Sequence, residues 1–151
     1  MLNMGDSMQN EREQLIKDFN NLNYEVDRIY TKYAKTKDLT QTSLFVLEYL
    51  FESKEPVSQK EISDYLGIHK QAINLSIKYF LEKEFIQMKE TKDRRIKNIV
   101  LTEAGLDFAS EVLKPLRKAG DNVWHGVKTH DIAILVKVMG AYVDNIKLVC
   151  E

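Results

Sequence analysis

Residues 58–101 constrain this chain more than any other stretch. They read SQKEISDYLGIHKQAINLSIKYFLEKEFIQMKETKDRRIKNIVL. Ser58, with Glu61 three residues on, has the pattern of a capping box and predicts a short helix ending at Leu66. Gly67 supplies a tight turn, and a second helix is expected from about Lys70 to Lys83. Phe85 to Lys89 reads as a strand and Asn98 to Leu101 as its partner, with a charged tip from Glu90 to Lys97 between them. Helix, turn, helix and hairpin, in that order, make a winged helix-turn-helix.

The second helix has two chemically distinct faces. At roughly 100° per residue, Ile73, Ile77 and Phe80 share a narrow arc, the expected buried face. Lys70, Gln71, Asn74 and Lys78 occupy another arc, which holds no aliphatic residue in its first two turns. An Asn or Gln can pair bidentately with adenine, and a Lys can reach guanine or a phosphate. A solvated helix face would also be polar. The turn before the helix and the hairpin after it favour the nucleic-acid reading. Leu75 lies just off the polar arc, where it either meets a thymine methyl or packs on a neighbouring helix.

With SQKEISDYLGIHKQAIN at the helix-turn-helix and DRRIKNIVLTEAG at the wing and the helix after it, the chain resembles the MarR family of bacterial transcriptional regulators. Asp93 and Arg95 match that family's Asp-x-Arg wing tip, and Leu101, Thr102 and Gly105 match its Leu-Thr-x-x-Gly. The resemblance covers essentially the whole chain. It implies that Asp93 positions the wing and that Arg95 enters a minor groove. It also implies a pocket between dimer helices and DNA-binding lobe, where aromatic or anionic effectors relieve repression. Two residues depart from the family pattern. Glu84 stands where a Gly usually separates recognition helix and first strand, and Ser43 where a Gln is common. The expected DNA contacts are Ser58, Gln59, His69, Lys70, Gln71, Asn74 and Lys78, with Lys92, Asp93, Arg94, Arg95 and Lys97 on the wing.

Charge supports that placement. The net charge of the 151 residues is −1, so duplex binding requires local segregation. From His69 to Lys97 there are eight basic and four acidic residues, a net +4, which leaves −5 for the rest. The wing tip crowds Lys92, Arg94, Arg95 and Lys97 around Asp93. A lone acid there opposes phosphate binding unless it braces an arginine through a charge-assisted hydrogen bond.

The flanks read as helices that associate. Leu15, Phe19, Leu22, Val26, Ile29 and Tyr33 form a heptad seam on a helix expected from about Glu11 to Lys35. Its uses are dimerisation or ordinary core packing. Thr40 is placed to N-cap a helix running to about Glu52, with Leu44, Leu47, Tyr49, Leu50 and Phe51 mostly inside. Pro56 separates that helix from the helix-turn-helix, whose Ile62, Leu66 and Ile68 should face inward. Thr102 should N-cap the next helix, with Phe108, Val112 and Leu116 as its stripe. Pro115 should kink or end it, with a break over residues 118–122. The last helix is expected from about His130 to Val149, with Ile132, Leu135, Met139, Tyr142, Ile146 and Val149 as a second seam. The fold class is therefore mainly α with a small β-hairpin wing. Dimerisation helices over about 11–35 and 121–151 flank a DNA-binding lobe over about 40–118 in a single domain, both chain ends packing as the dimer region.

No catalytic constellation stands out. Gly-rich phosphate loops, Gly-x-Ser-x-Gly and His-Glu-x-x-His are absent, so an enzyme is not expected. His125 and His130 do not share a helix face, so they join Cys150 in a metal site only if the fold gathers them. No cofactor and no metal are expected. The single cysteine precludes an intrachain disulfide. The acidic and basic residues Asp6, Glu11 and Arg12 precede any apolar run, and Ile132 to Val143 is too short for a span. A cytoplasmic protein with no membrane partner is expected. Tyr24, Tyr30, Tyr33, Phe45, Tyr49 and Trp124 could line a small-molecule cavity or simply pack a core. The reading is a homodimeric, sequence-specific regulator, more a repressor than an activator, on a pseudo-palindromic operator. The other reading is a winged-helix module for protein contacts with no DNA affinity of its own.

Overall fold

In the computed structural model, which describes residues 4–90 and 97–150, caps set most element boundaries. The first helix, α1, runs Met4–Lys35 and begins earlier than the apolar seam does. Helix α2 (Gln41–Glu52) is capped by Thr40, whose hydroxyl accepts from the Ser43 N–H at 3.0 Å. Helix α3 (Gln59–Leu66) carries the full capping box. The Ser58 N–H donates to Glu61 Oε2 at 2.7 Å and the Glu61 N–H to Ser58 Oγ at 3.2 Å. That backbone donor holds the Glu61 carboxyl below its ordinary range, so the cap contributes at neutral pH and is lost as pH falls through the lowered value. Gly67 ends α3 in the left-handed region at φ 64°, where a side chain would be strained. Helix α4 spans Lys70–Glu82.

Strands β1 (Val57–Ser58), β2 (Ile86–Glu90) and β3 (Lys97–Leu101) form an antiparallel sheet in the order β1-β3-β2. Ile99 lies opposite Val57 on one side and Met88 on the other. The expected hairpin is therefore present, shifted by one residue at its start, and β1 completes a third strand. Two residues leave no alternation to read, so β1 was not legible in the sequence.

The chain divides into two compact units, Met1–Ser110 and Glu111–Glu151. In the first, Leu44 and Leu47 of α2, Ile62 of α3, Ile73, Ile77 and Phe80 of α4, and Ile99 of β3 are all buried to within 1% exposure. These are the core that sets α4 against the sheet. Leu66, Ile68, Tyr49 and Phe51, expected inward, are only half-buried.

One backbone junction ties three elements together. The Phe85 N–H donates to the Phe80 carbonyl at 2.9 Å, and the Phe85 carbonyl accepts from the Thr102 N–H at 3.0 Å. Thr102 Oγ1 donates to the Glu84 carbonyl at 2.7 Å and accepts from the Gly105 N–H at 3.0 Å, which N-caps helix α5 (Glu103–His125). Gly105 sits so close to Phe85 that a Cβ there would lie 1.8 Å from the Phe85 carbonyl oxygen. The Phe85 and Phe108 rings stack at 4.3 Å beside it. Glu84 adopts φ 57°, the left-handed conformation that a glycine takes without cost.

Helix α5 corrects the expectation of a break over residues 118–122. It passes Pro115 and Gly120 and ends only at His125, before helix α6 (Thr129–Lys147). Pro115 forfeits one backbone bond, and a helical Gly costs about 1 kcal/mol. Lys118 and Ala119 are good helix formers, and extending an existing helix avoids a new nucleus. The turn falls at Gly126, whose N–H bonds the Val123 carbonyl at 3.1 Å.

The junction gives two stability predictions of opposite sign. Gly105→Ala should cost about 1–3 kcal/mol, because the atom its Cβ meets is backbone and cannot rotate away. Glu84→Gly should gain roughly 0.5 kcal/mol, relief of the left-handed strain exceeding the entropy a glycine loses. Urea unfolding, read as midpoint shifts at constant slope, checks both. A neutral Gly105→Ala would contradict the close approach.

Candidate nucleic-acid interface

Helix α4 presents the two faces read from its sequence. Ile73, Ile77 and Phe80 are buried, while Lys70, Gln71, Asn74 and Lys78 are exposed. Leu75 is 70% exposed and belongs largely to the outward surface. His69 is the N-cap but makes no side-chain cap bond. The first turn of α4 therefore keeps its positive dipole end beside Lys70, an arrangement that favours an anion.

Ser76 is buried as well, which the apolar pattern did not reveal. Its hydroxyl donates to the Ala72 carbonyl at 3.2 Å. Its 2.9 Å bond to Ser43 Oγ must then have Ser43 as donor. Thr40 Oγ1 lies 2.9 Å from Ser43 Oγ and must donate in turn. A directed chain of three hydroxyls thus joins the cap of α2 to the buried side of α4. Ser43 was visible in the sequence only as a departure from the family's Gln.

Gln59 reaches across from the start of α3. Its Nε2 donates to Asn74 Oδ1 at 3.3 Å, which occupies the carbonyl end of the Asn74 amide and leaves its Nδ2 group to donate. Ser58 has a different commitment, since its hydroxyl and N–H both serve the capping box. Lys97 is exposed on β3, opposite Glu90. The structure thus brings Gln59, His69, Lys70, Gln71, Asn74 and Lys78 onto α4 and its approach. Lys92, Asp93, Arg94 and Arg95 lie outside the described residues.

Elsewhere the described residues hold no group of three or more His, Cys, Asp or Glu side chains placed for a metal. His125 Nδ1 lies 2.7 Å from the Asp121 carbonyl, and Cys150 is exposed. No helix among the described residues is long and apolar enough to cross a membrane. Of the aromatic residues singled out for a cavity, Phe45 and Tyr49 line one, Tyr30 packs on Phe45 at 5.6 Å, and Tyr24 is 70% exposed. Trp124 is half exposed in the second unit. Tyr65, which the sequence reading passed over, lines the same cavity as Tyr49.

Residues 39–105 match the family described as winged helix DNA-binding domain. Over 96 residues the chain is 32% identical to the HTH-type transcriptional regulator SarZ of Staphylococcus haemolyticus (strain JCSC1435), covering 63% of this chain and 61% of that protein. The chain thus spans about three-fifths of the length of this curated relative. A MarR family regulator from Neisseria meningitidis superposes with TM-score 0.73 at 21% identity, over 90% of this chain and 95% of that one. The MepR–DNA complex of S. aureus gives TM-score 0.70 at 15% identity, over 84% and 97%. The chain shares the winged-helix fold of these two structures.

The hydroxyl chain makes a prediction of its own. Ser76→Ala should cost about 1–2 kcal/mol, because Ser43 loses the acceptor for a buried hydroxyl. The double variant Ser43→Ala with Ser76→Ala should cost less than the sum of the singles, since no buried donor is then stranded and the exposed Thr40 hydroxyl turns to water. A double-mutant cycle in urea checks this, and strict additivity would mean that the two hydroxyls do not interact.

Proposed function

We infer that this chain, a winged helix of MarR type, is a DNA-binding transcriptional regulator that works as a homodimeric repressor on a pseudo-palindromic operator. The observation that carries the inference is the outward face of α4. Lys70, Gln71, Asn74 and Lys78 stand exposed on a helix whose other side is locked into the core. Rigid placement matters because base edges are read by hydrogen bonds that tolerate little displacement. In this reading α4 enters the major groove. Asn74 and Gln71 meet base edges, Lys70 and Lys78 meet phosphate or guanine, and Leu75 supplies an apolar contact suited to a thymine methyl. Gln59 fixes the rotation of the Asn74 amide. At the wing, Arg95 enters the flanking minor groove with Asp93 as its brace, a role resting on sequence alone.

Association supports the operator geometry. Leu15, Leu22, Val26 and Ile29 along α1 are each more than half exposed, so packing within the first unit does not cover them. On α6, Ile134, Leu135, Val136, Val138 and Tyr142 are likewise exposed. Apolar stripes of this length are what a second copy covers. A two-fold dimer then sets two copies of α4 on half-sites about one helical turn apart. Occupying a promoter in this way represses without any further activity.

Selection from random duplexes, followed by fluorescence anisotropy at several salt concentrations, tests the DNA reading. Wild type should bind a selected site with a steep salt dependence. Asn74→Ala should cost roughly 1–3 kcal/mol and relax the preference at one position in each half-site, with Gln59→Ala a milder form of the same change. Arg95→Ala should weaken binding most where the flanks are A·T-rich. Asp93→Ala discriminates by sign: simple charge counting predicts tighter binding, bracing predicts weaker. Absence of salt-dependent duplex binding by the wild type would overturn the reading.

The dimer is tested separately. Leu22→Asp combined with Met139→Asp should give a monomer by light scattering and should weaken operator binding, because each half-site loses its tethered neighbour. A wild-type monomer at micromolar concentration with intact specific binding would exclude the dimer.

A further inference from the structure

Among the outward polar side chains of α4, Asn74 is tied to a second element by its own amide. Gln59 Nε2 donates to Asn74 Oδ1 at 3.3 Å. Among the described residues, no hydrogen bond holds the side chains of Lys70, Gln71 or Lys78 in the same way. Both ends of the Gln59–Asn74 bond stand on fixed backbone within the first unit. Gln59 opens α3 directly after β1, which pairs with β3, and directly after the N-cap of the Ser58–Glu61 capping box. Asn74 lies between Ile73 and the buried pair Ser76 and Ile77, which anchor that turn of α4 to the core. Gln59 is half-buried and Asn74 exposed, so the tether reaches from the packed side to the open side.

The bond fixes which way round the Asn74 amide lies. Turning the amide over would set Nδ2 against Gln59 Nε2, donor against donor, and forfeit the bond. A carbonyl oxygen has two lone pairs, and Gln59 takes one of them. The amide therefore still offers the Nδ2 donors and one acceptor on Oδ1, in a fixed order. Adenine meets both, with N7 accepting and the N6 amino group donating. Guanine sets O6 where that amino group would be, so acceptor faces acceptor. Cytosine offers its N4 donor and nothing that accepts from Nδ2, while thymine offers O4 beside a methyl group and no donor. An untethered Asn74 escapes these mismatches. It swings Nδ2 between N7 and O6 of guanine, or turns over to give Oδ1 alone to cytosine. The tether removes both escapes.

We propose that Gln59 is a positioning residue that sets base specificity: by tethering the Asn74 amide, it commits Asn74 to adenine in each half-site and against guanine and cytosine. The proposal rests on the regulator reading and names the base which that reading leaves open. Gln59 itself needs no contact with the base. A merely structural Gln59 would weaken all duplexes alike, whereas a tether changes the ranking of bases at one position.

Selection from random duplexes is run on the full chain as wild type, Asn74→Ala, Gln59→Ala and Gln59→Glu. The position at which Asn74→Ala relaxes the preference is the one that Asn74 reads. There the wild type should hold adenine roughly tenfold over guanine and over cytosine. Gln59→Ala should lower the adenine-to-guanine ratio about fivefold at that position and leave the other positions as they were. Gln59→Glu is the sharper test, because a carboxylate accepts and cannot donate. It should draw Nδ2 inward, turn Oδ1 toward the groove and raise the cytosine-to-adenine ratio at that position. Its added negative charge weakens every duplex to a similar degree, and a less stable variant does the same, so the ratios remain decisive. A base other than adenine there in the wild type, ratios there unchanged by either Gln59 variant, or an Asn74→Ala that relaxes no position would each overturn the proposal. A selected site with another base at that position overturns this proposal alone. Absence of any selected duplex overturns the regulator reading and this proposal with it.

Discussion

The backbone of Phe85 is where the winged-helix unit is held together. Its N–H closes the end of α4 on the Phe80 carbonyl, and its own carbonyl takes the Thr102 N–H as β3 gives way to α5. Thr102 then secures the Glu84 carbonyl and caps α5 through Gly105. Four hydrogen bonds within a few residues thus set the angle between α4 and the sheet, and each contributes about 1 kcal/mol net. They act through main chain, whose positions are fixed far more tightly than side-chain rotamers. The Leu-Thr-x-x-Gly sequence has its physical reason here: Thr supplies donor and acceptor at once, and only Gly leaves room for the Phe85 carbonyl.

A second restraint acts from the opposite side of α4. Ile73, Ile77 and Phe80 press into the core, and Ser76 adds a directional bond to Ser43 within that apolar contact. Hydrophobic packing alone fixes a helix's depth better than its rotation, because apolar contacts have no preferred direction. A buried hydrogen bond supplies the missing direction, and misalignment would strand a hydroxyl at a cost of about 1–3 kcal/mol. The rotation of α4 decides which side chains face outward. The polar pair in the core and the polar face outside are therefore parts of one arrangement.

Much of this was legible because caps and periodicity are local. Thr40, Ser58 with Glu61, and Thr102 each mark a boundary by side-chain chemistry within three residues, and the structure has all three. The faces of α4 followed from helical spacing. Glu84 was conspicuous as the residue standing in for a Gly, and its left-handed φ shows that the fold keeps the conformation and bears the strain. What was not legible depended on distant partners or on cooperativity. Strand β1 exists only because β3 offers it an edge. Ser43 and Ser76 are 33 residues apart, and neither announces the other. Gln59 gains its role only once α3 and α4 are packed. The expected break at 118–122 treated Gly and Asn as local punctuation, whereas a long helix already under way carries them for little cost.

The two ends of the chain raise a different kind of constraint. Helix α1 has 32 residues, yet most of its apolar seam is exposed, while Phe19, Tyr30, Tyr33 and Ala34 are partly or wholly covered. A helix gains most of its stability from packing one face, not from intrinsic propensity. Near Tyr30 that packing exists, where Thr31 Oγ1 donates to Gln41 Oε1 at 2.6 Å and Gln41 Nε2 to Asp27 Oδ1 at 2.8 Å. Farther toward the N-terminus, the bond from Gln14 Nε2 to Asp18 Oδ1 at 2.8 Å lies within the helix itself. A second copy covering Leu15, Leu22, Val26 and Ile29 would stabilise α1 while building the interface, so helix stability and association become one linked equilibrium. If the proposed dimer reads two half-sites, such linkage couples the persistence of its long helices to the same protein concentration that would govern occupancy of DNA.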